Sequence, residues 1–449
     1  MCSIAVLLEV VMSAKQLLVG VMLLCALPAW AGLNIQHWTT SQGARVYFVE
    51  NHDLPMLDVG VDFSAGSVRD TRERSGLANL TPNIMTLGAG SYSEKDIAEQ
   101  MADVGAVLSG RFDADRAGFQ LRTLSGEAER SKALDVLAAV LAAPRFEPEI
   151  VAREKARVIA ALEEAATKPE TIGEKAFSVA IYGEHPYALP EGGEPETVAR
   201  LTREDMLAFY KTHYRAKAMS LAIMGDVSRQ EAERMAERLA SGLPPGDAPP
   251  SIPPVSAGMG SERVIPHSAT QSHLFMGMPG MKREDPDYFS LYVGNYVLGG
   301  GGFDSRLMQE VRQKKGLAYS VYSYFIPMQE PGPFQIGLQT RRSTTDEAVR
   351  TTREVLARYL REGPAEAELA QARNNLVGGF PLRLDSNKKI LEYLAVIGFY
   401  QLPLDWLDTY TARVEAVTRE DILRAFGSRV RPESLSTVVV GGQLASGKE

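Results

Sequence analysis

Residues 301–320 read GGFDSRLMQEVRQKKGLAYS and hold the most informative pattern in the chain. The opening glycines continue a glycine run that permits close backbone approach and unusual backbone angles. Residues 305–315 are predicted to form a helix that ends at Gly316, and a strand is predicted after it. Arg312 and Tyr319 lie seven positions apart, so the helix end and the turn can bring both side chains to one face. Guanidinium and phenol groups both donate hydrogen bonds, which suits a peptide carbonyl oxygen.

The composition is that of an ordinary globular protein. The chain has 449 residues, 45% of them hydrophobic and 23% charged, which predicts two or more domains. Its formal net charge is −8, so a nucleic-acid or anionic-membrane partner is disfavoured. Both cysteines, Cys2 and Cys25, lie within residues 1–31, which are predicted below to be removed as a signal peptide. The mature protein would therefore have neither a disulfide nor a thiolate site.

The N-terminus is typical of a secretory signal peptide, predicted to span residues 1–31. Lys15 precedes an apolar run at residues 17–27, and Ala29 and Ala31 provide the small residues that a signal peptidase needs. The run is short for a membrane span, so an uncleaved anchor is the less favoured alternative. The sequence predicts a soluble protein that is periplasmic or otherwise exported, without stable membrane insertion after cleavage.

A proline-rich segment divides the mature chain into two parts. Residues 244–254 contain six prolines, which cannot sustain a helix or a central strand. We therefore predict a first domain at residues 32–243, a linker at residues 244–262 and a second domain at residues 263–445.

The two parts are predicted to be distant copies of one fold. Each ends in a helix opened by a threonine with an aspartate three residues later, followed by an apolar strand that stops at glycine. Thr202 and Thr418 are the threonines. The fold class is α+β, with helices covering a mainly antiparallel sheet in each part. Further strands are predicted at residues 45–49, 57–63, 118–122, 319–324 and 334–339, and helices at residues 94–104, 127–142, 148–166 and 344–362.

Residues 64–83 resemble the zinc-binding half of the M16 (insulinase/pitrilysin-like, M16B) peptidases. In that family Gly-Leu-Ala leads into a helix that carries His-x-x-Glu-His, whereas residues 79–83 of this chain read NLTPN. The resemblance places Asn79 and Asn83 at the zinc histidines and Pro82 at the general-base glutamate. Amides are poor zinc donors, and proline has no basic side chain.

The remaining zinc ligand of the family is a glutamate on a later helix. The matching segment, residues 158–162, has Ala160 and Ala161 at the carboxylate positions. The resemblance therefore implies a degenerate zinc site and no cofactor in this chain. An autonomous zinc peptidase would need ligands that the sequence lacks.

Residues 301–320 resemble the substrate-binding half of the same family and retain its pattern. The resemblance implies that Arg312 and Tyr319 reach across a closed chamber to the substrate backbone and the oxyanion. Without the family context, Arg312 would be read as a surface residue paired with Glu310 or Asp304, and Tyr319 as a half-buried strand residue. The residues implied to line the substrate path are Gly301, Gly302, Phe303 and Ser305.

Arg111 is a further candidate for substrate binding. It follows a predicted helix at the place where the family has its substrate-pairing edge strand. A solvated side chain is the slightly favoured alternative.

The resemblance implies a non-zinc subunit of an exported heterodimeric metalloendopeptidase, of the type that carries Arg and Tyr but lacks His-x-x-Glu-His. Two homologous domains would form half of a clamshell and close on a zinc-bearing His-x-x-Glu-His subunit around an unfolded peptide. The chain would then be inactive by itself. The alternative is a non-catalytic peptide-binding, scaffold or assembly protein with the same fold.

Overall fold

The structure is a computed structural model that describes residues 33–256 and 258–442. The predicted signal peptide at residues 1–31 lies outside the described residues, and so do the last three residues of the predicted second domain. Within the described ranges, no helix is long and apolar enough to cross a membrane.

The first half of the chain folds around a six-stranded sheet. Its eight strands, two of which form a separate small hairpin, are β1 (Gln36–Thr39), β2 (Arg45–Glu50), β3 (Met56–Phe63), β4 (Gly88–Ala89), β5 (Tyr92–Ser93), β6 (Val107–Phe112), β7 (Ala117–Leu124) and β8 (Met219–Gly225). The order in the sheet is β1-β2-β8-β3-β7-β6. Only β2 and β8 run parallel, and the other neighbours are antiparallel.

The second half repeats this arrangement in a five-stranded sheet. Its strands are β9 (Glu262–Ile265), β10 (Gln271–Met281), β11 (Ala318–Phe325), β12 (Gly332–Arg341) and β13 (Ser436–Val440). The order is β9-β13-β10-β12-β11, and the single parallel pair joins β9 to β13, as β2 pairs with β8 in the first half. This is the order of β2-β8-β3-β7-β6, so the duplication and the mainly antiparallel α+β class are confirmed. In this match β6 and β11 are equivalent, and both are edge strands.

The predicted helices form with small shifts at their ends. Thr202 and Thr418 both make the predicted capping boxes, with the hydroxyls accepting from the backbone N–H of Asp205 and Asp421 at 3.1 Å. The helices are α1 (Leu77–Met85), α2 (Glu94–Asp103), α3 (Glu127–Ala142), α4 (Pro148–Ala165), α5 (Pro169–Tyr182), α6 (Pro195–Arg200), α7 (Arg203–His213), α8 (Arg229–Ser241), α9 (Tyr288–Asn295), α10 (Thr345–Glu362), α11 (Glu366–Gly378), α12 (Asn387–Tyr400), α13 (Trp406–Ala416) and α14 (Arg419–Arg429).

Each sheet is covered on one face by a helix from the other half of the chain. Helix α5 of the first half packs on β10 and β13, and helix α12 of the second half packs on β2, β3 and β8. The central strand β3 is consequently buried on both faces, although its sequence alternates. Its odd-numbered residues join the apolar core of the first half, and Gly60 faces Leu391 of α12. The two halves are therefore joined by a reciprocal exchange of helices.

A glycine lies at each of the two points where a helix crosses a sheet. A Cβ added at Gly173 of α5 would lie 2.2 Å from the ring of Phe275, and one added at Gly398 of α12 would lie 2.6 Å from Ser220 and Tyr47. Both distances are shorter than the non-bonded contacts that real Cβ atoms make. Each helix therefore lies so close to its sheet that only a glycine fits at the crossing point.

We expect Gly173→Ala and Gly398→Ala each to lower the free energy of unfolding by about 1–3 kcal/mol, because a methyl group overpacks a closed interface. Gly427→Ala is the matched control. Gly427 is an exposed helical glycine of α14 whose Cβ would meet open space, so alanine there should raise stability by up to about 1 kcal/mol. The measurement is the urea midpoint of each variant. Stabilisation by alanine at Gly173 or Gly398 would contradict the close approach.

The proline-rich segment lies against the first half. The described residues between Pro244 and Ser261 contain no helix or strand. Arg69 donates a hydrogen bond to the carbonyl of Pro250 at 2.6 Å, and the His185 ring lies 2.8 Å from the carbonyl of Pro253. The side chain of Ile252 is buried. The segment is therefore fixed to the surface of the first half along part of its length.

Candidate functional site

The segment at residues 301–320 places its two candidate side chains through a helix and a left-handed turn. The helix predicted at residues 305–315 is a π-helix over Met308–Lys314, so its turns are wider than those of an α-helix. It ends at Gly316, which has φ +61° and donates to the carbonyl of Arg312 at 2.9 Å. A glycine suits this position because a side chain is strained there. Strand β11 begins two residues later.

Arg312 lies between two aromatic rings. Its guanidinium carbon is 4.8 Å from the ring centroid of Phe303 and 4.8 Å from that of Tyr319. Among the described residues it makes no ion pair and no hydrogen bond, since Glu310 pairs with Lys314 and Arg358. Cation–π contact orients the guanidinium but uses none of its N–H donors. All five donors therefore remain available for a ligand.

Tyr319 and Phe303 are the exposed side chains of the site. Tyr319 is 82% exposed and Phe303 is 63% exposed, which is far more than an aromatic ring usually retains. Within the described chain the hydroxyl of Tyr319 has no hydrogen-bond partner. The surface ion pair considered for Arg312 and the half-buried position considered for Tyr319 are both wrong in this structure. The structure brings Arg312, Tyr319 and Phe303 together, as the sequence segment implied.

The glycine run supports the site from behind. A Cβ at Gly299 would lie 2.4 Å from Ser323 of β11, so the run packs directly on the strand that carries Tyr319. Asn295 links the two elements, because its amide donates to the carbonyl of Ser323 at 3.0 Å and accepts from the Ser323 hydroxyl at 2.7 Å. Ser305 is buried, and its hydroxyl donates to the carbonyl of Gly302. Ser305 therefore supports the turn and does not face a ligand.

A cavity of about 890 Å³ lies beside Arg312 and Tyr319. Its wall includes Gly302 and Phe303 from the glycine-rich turn and residues 319–325 of the edge strand β11. Burial raises the pKa of Tyr322 and of Tyr324 on that strand, so both phenols stay protonated and can donate hydrogen bonds. The arrangement offers an extended chain a strand edge, a guanidinium and several phenols.

The degenerate metal positions form a different kind of site. The amide of Asn83 donates to the backbone carbonyl and to the side-chain oxygen of Asn79, both at 3.0 Å, so the two side chains bind each other. Pro82 is buried within α1. A Cβ at Gly110 of the edge strand β6 would lie 3.5 Å from Asn83. These positions lie beside an edge strand and offer neutral amides, which do not fit zinc.

Helix α4 supplies no carboxylate to these positions. It packs against α1, and Ala160 and Ala161 are exposed on it. Among the described residues, no group of three or more His, Cys, Asp or Glu side chains could hold a metal ion. No chemical step through a metal bound to this chain follows from these residues.

The side chain of Arg111 is largely buried and points inward to the central strand. Its side chain is 17% exposed, and its guanidinium lies 3.6 Å from the buried carboxylate of Asp62 on β3. Arg116 approaches the same carboxylate at 3.5 Å. The favoured expectation of a solvated Arg111 is wrong, because a buried carboxylate on the central strand attracts the guanidinium inward.

Two further arginines line the cavity, and sequence reasoning did not predict either of them. Arg283 follows β10, and Arg383 lies in the turn before α12, and both line the cavity with Arg312. They are distant from residues 301–320 in the chain, so no local motif connects them. No signal in the sequence marks them, because each has acidic neighbours, Glu284 and Asp285 beside Arg283 and Asp385 beside Arg383.

The comparisons with known proteins identify the family. Residues 45–192 match the family described as Insulinase (Peptidase family M16), and residues 200–376 match the Peptidase M16 inactive domain. A crystal structure of a peptidase M16 inactive domain from Pseudomonas fluorescens is 35% identical, with a TM-score of 0.89, over 93% of this chain and 100% of that one. The chain belongs to peptidase family M16.

Two curated M16 relatives have names of opposite meaning. An uncharacterized zinc protease YmxG from Bacillus subtilis is 27% identical over 78% of this chain and 85% of its own length. A non-peptidase homolog YmxG from Helicobacter pylori is 24% identical over 84% of this chain and 87% of its own. This chain is therefore similar both to a protein named as a zinc protease and to one named as a non-peptidase homolog.

Proposed function

We propose that this M16 chain is the non-zinc subunit of a two-chain peptidase and donates Arg312 and Tyr319 to substrate held in a shared chamber. One observation carries the proposal. Arg312 is oriented by two rings yet has no acidic partner within the described residues, while Asn79 and Asn83 replace the metal ligands. A side chain that is positioned but unpaired suits a ligand that arrives from outside.

The two donors have distinct roles in this proposal. The guanidinium of Arg312 presents a planar fork to a peptide carbonyl oxygen, and the hydroxyl of Tyr319 donates to the same oxygen or to its neighbour. Charge that develops on this oxygen during hydrolysis strengthens both hydrogen bonds. An unfolded peptide lies as an added strand along a sheet edge.

The partner subunit supplies what this chain lacks. It is a His-x-x-Glu-His chain of the same family, and zinc belongs to it. The leader-like N-terminus supports export to the periplasm or beyond, where the two subunits would meet. This chain alone would have no peptidase activity.

Reconstitution tests the proposal. We expect the purified chain to co-elute with a zinc-competent M16 subunit encoded beside it, and the mixture to cleave unfolded peptides about a hundredfold faster than either subunit alone. A chelator should abolish the activity of the mixture. The control is a partner whose motif glutamate is replaced by Gln, which should bind this chain without cleavage. Stoichiometric zinc and activity in this chain alone would contradict the proposal.

A second candidate is a chain that holds unfolded peptides without cleaving them. The name of the Helicobacter pylori relative, a non-peptidase homolog, favours it. The same reconstitution separates the two functions. Peptide binding by this chain with no gain in cleavage on mixing would favour the holding or assembly role.

A further inference from the structure

The cavity beside Arg312 and Tyr319 carries charge of one sign. Its charged lining residues are Arg283, Arg312 and Arg383, and no Asp or Glu among the described residues lines it. This contrasts with the chain as a whole, which has a formal net charge of −8. The potential inside this cavity is therefore opposite in sign to the overall charge of the protein.

None of the three arginines has a carboxylate partner in the described part of the chain. Arg312 contacts the rings of Phe303 and Tyr319. The guanidinium of Arg283 lies 5.1 Å from the ring of Tyr400, and its buried Nε has no hydrogen-bond acceptor. Neutral rings orient these cations without neutralising them.

Arg383 is placed in the same way by neutral groups. It lies at the end of the turn Pro381–Arg383 and makes a side-chain hydrogen bond with Tyr393, with Tyr292 and Tyr410 close by. The phenol of Tyr292 also lines the cavity. Three guanidinium groups thus border one space without a carboxylate among the described residues to neutralise them, and their combined charge favours an anion there.

A neighbouring cavity of about 920 Å³ shows that this charge is local. The two cavities share Arg283, Tyr324 and Pro327 in their walls, so they are adjacent. The neighbouring wall has both signs, with Glu174 and Glu191 as well as Lys175 and Arg263. An extended peptide that crosses both cavities would therefore have one place where a negative group is favoured.

We infer that the cavity lined by Arg283, Arg312 and Arg383 binds a carboxylate of the peptide, next to the backbone that Arg312 and Tyr319 contact. The inference rests on the proposed peptide-binding function. It adds the class of peptide that is bound, namely one with an acidic group that enters this cavity. Two sources provide that chemistry, an internal Asp or Glu side chain and the C-terminal carboxylate. The guanidinium fork matches a carboxylate from either source. The tyrosines around it supply further donors and an apolar wall for the adjacent residue.

Equilibrium binding to the purified chain alone tests the inference. Three versions of one fluorescein-labelled unfolded peptide are compared by anisotropy at low salt. The first has an internal Glu and a C-terminal amide, the second has Gln and the amide, and the third has Gln and a free C-terminal carboxylate. We expect the first or the third to bind about tenfold more tightly than the second, which identifies the source of the carboxylate.

Arg383→Gln should lower the affinity of the carboxylate-bearing peptide about tenfold and so remove this preference. Arg383 is exposed in a short turn, so the variant keeps its fold. Arg234→Gln is the matched control, because Arg234 is an exposed arginine of α8 that does not line the cavity. Equal affinity for the three peptides, no binding of any of them, or a preference that survives Arg383→Gln would each overturn the inference.

The outcome is separable from the proposed catalytic role. The binding assay uses this chain without a partner, and the reconstitution measures cleavage. A carboxylate preference without any gain in cleavage on mixing would leave the inference standing and remove the catalytic proposal. Cleavage that needs Arg312 but shows no carboxylate preference would remove the inference alone.

Discussion

Arg312→Ala is expected to lower kcat/KM of the reconstituted two-subunit peptidase by about a hundredfold, and Tyr319→Phe by about tenfold. The larger loss belongs to Arg312 because a charged fork that contacts a developing oxyanion stabilises the transition state more than one neutral phenol does. Cleavage of an unfolded peptide by the mixture is the measurement. Most of the loss should fall on kcat, since both hydrogen bonds strengthen as charge develops on the oxygen.

Matched variants separate this effect from folding and assembly. Both side chains lack hydrogen bonds within the described residues, so Arg312→Ala and Tyr319→Phe should keep the thermal midpoint of the parent chain. Lys314→Ala changes an exposed cation of the same helix and should keep full activity. Arg312→Lys keeps the charge without the fork and should fall between the parent and Arg312→Ala. Full activity in both Arg312→Ala and Tyr319→Phe, with the complex intact, would exclude the donated site.

Local sequence was sufficient for the part of the site that lies in one segment. Arg312, Gly316 and Tyr319 are joined by a helix end and a turn, so their spacing predicted their proximity. The π-helical winding of Met308–Lys314 was not predictable, because apolar periodicity over two turns does not separate α from π geometry. The alternation of apolar residues in β3 likewise predicted a strand, but it did not predict that both faces of the strand are buried.

Residues that act across the two halves could not be predicted in this way. Arg383 lies in the turn before α12, and it lines the cavity together with residues of β11. Gly173 and Gly398 are ordinary helical glycines in sequence, and only the exchange of helices shows why neither tolerates a side chain. The exchange of helices also explains the position of Arg111. Asp62 on β3 is buried where α12 covers the sheet, and its carboxylate draws the guanidinium of Arg111 inward from the edge strand β6. Tertiary contact, not local propensity, decided each of these positions.

Asp115 is the polar residue that joins the two halves most directly. It lies in the turn between β6 and β7, and it is 1% exposed. Its carboxylate accepts hydrogen bonds from the hydroxyl of Tyr187 in the first half and from two groups of the second half. These are the hydroxyl of Tyr400 at the end of α12 and the backbone N–H of Gln329, both at 2.8 Å. Burial raises the pKa of the Asp115 carboxyl, and these donors oppose that rise.

Asp115→Ala should lower the free energy of unfolding by about 3–5 kcal/mol, because three buried donors lose their acceptor together. Urea titration followed by circular dichroism is the measurement. Asp53→Ala, at an exposed loop aspartate, is the control and should change stability by less than about 0.5 kcal/mol. Asp115→Asn keeps one acceptor oxygen and should cost less than alanine, since a phenol can rotate to accept from the amide.

A double-mutant cycle distinguishes lost hydrogen bonds from lost packing. Tyr400→Phe alone should cost about 1 kcal/mol, because it removes one hydrogen bond to the carboxylate. In the Asp115→Ala background the same change should cost nothing or restore some stability, since it removes a donor that is already unpaired. Strict additivity of the two substitutions would mean that Asp115 acts through packing alone. Coupling would show that the carboxylate of Asp115, in a turn of one half, fixes the C-terminal end of the helix that the other half contributes.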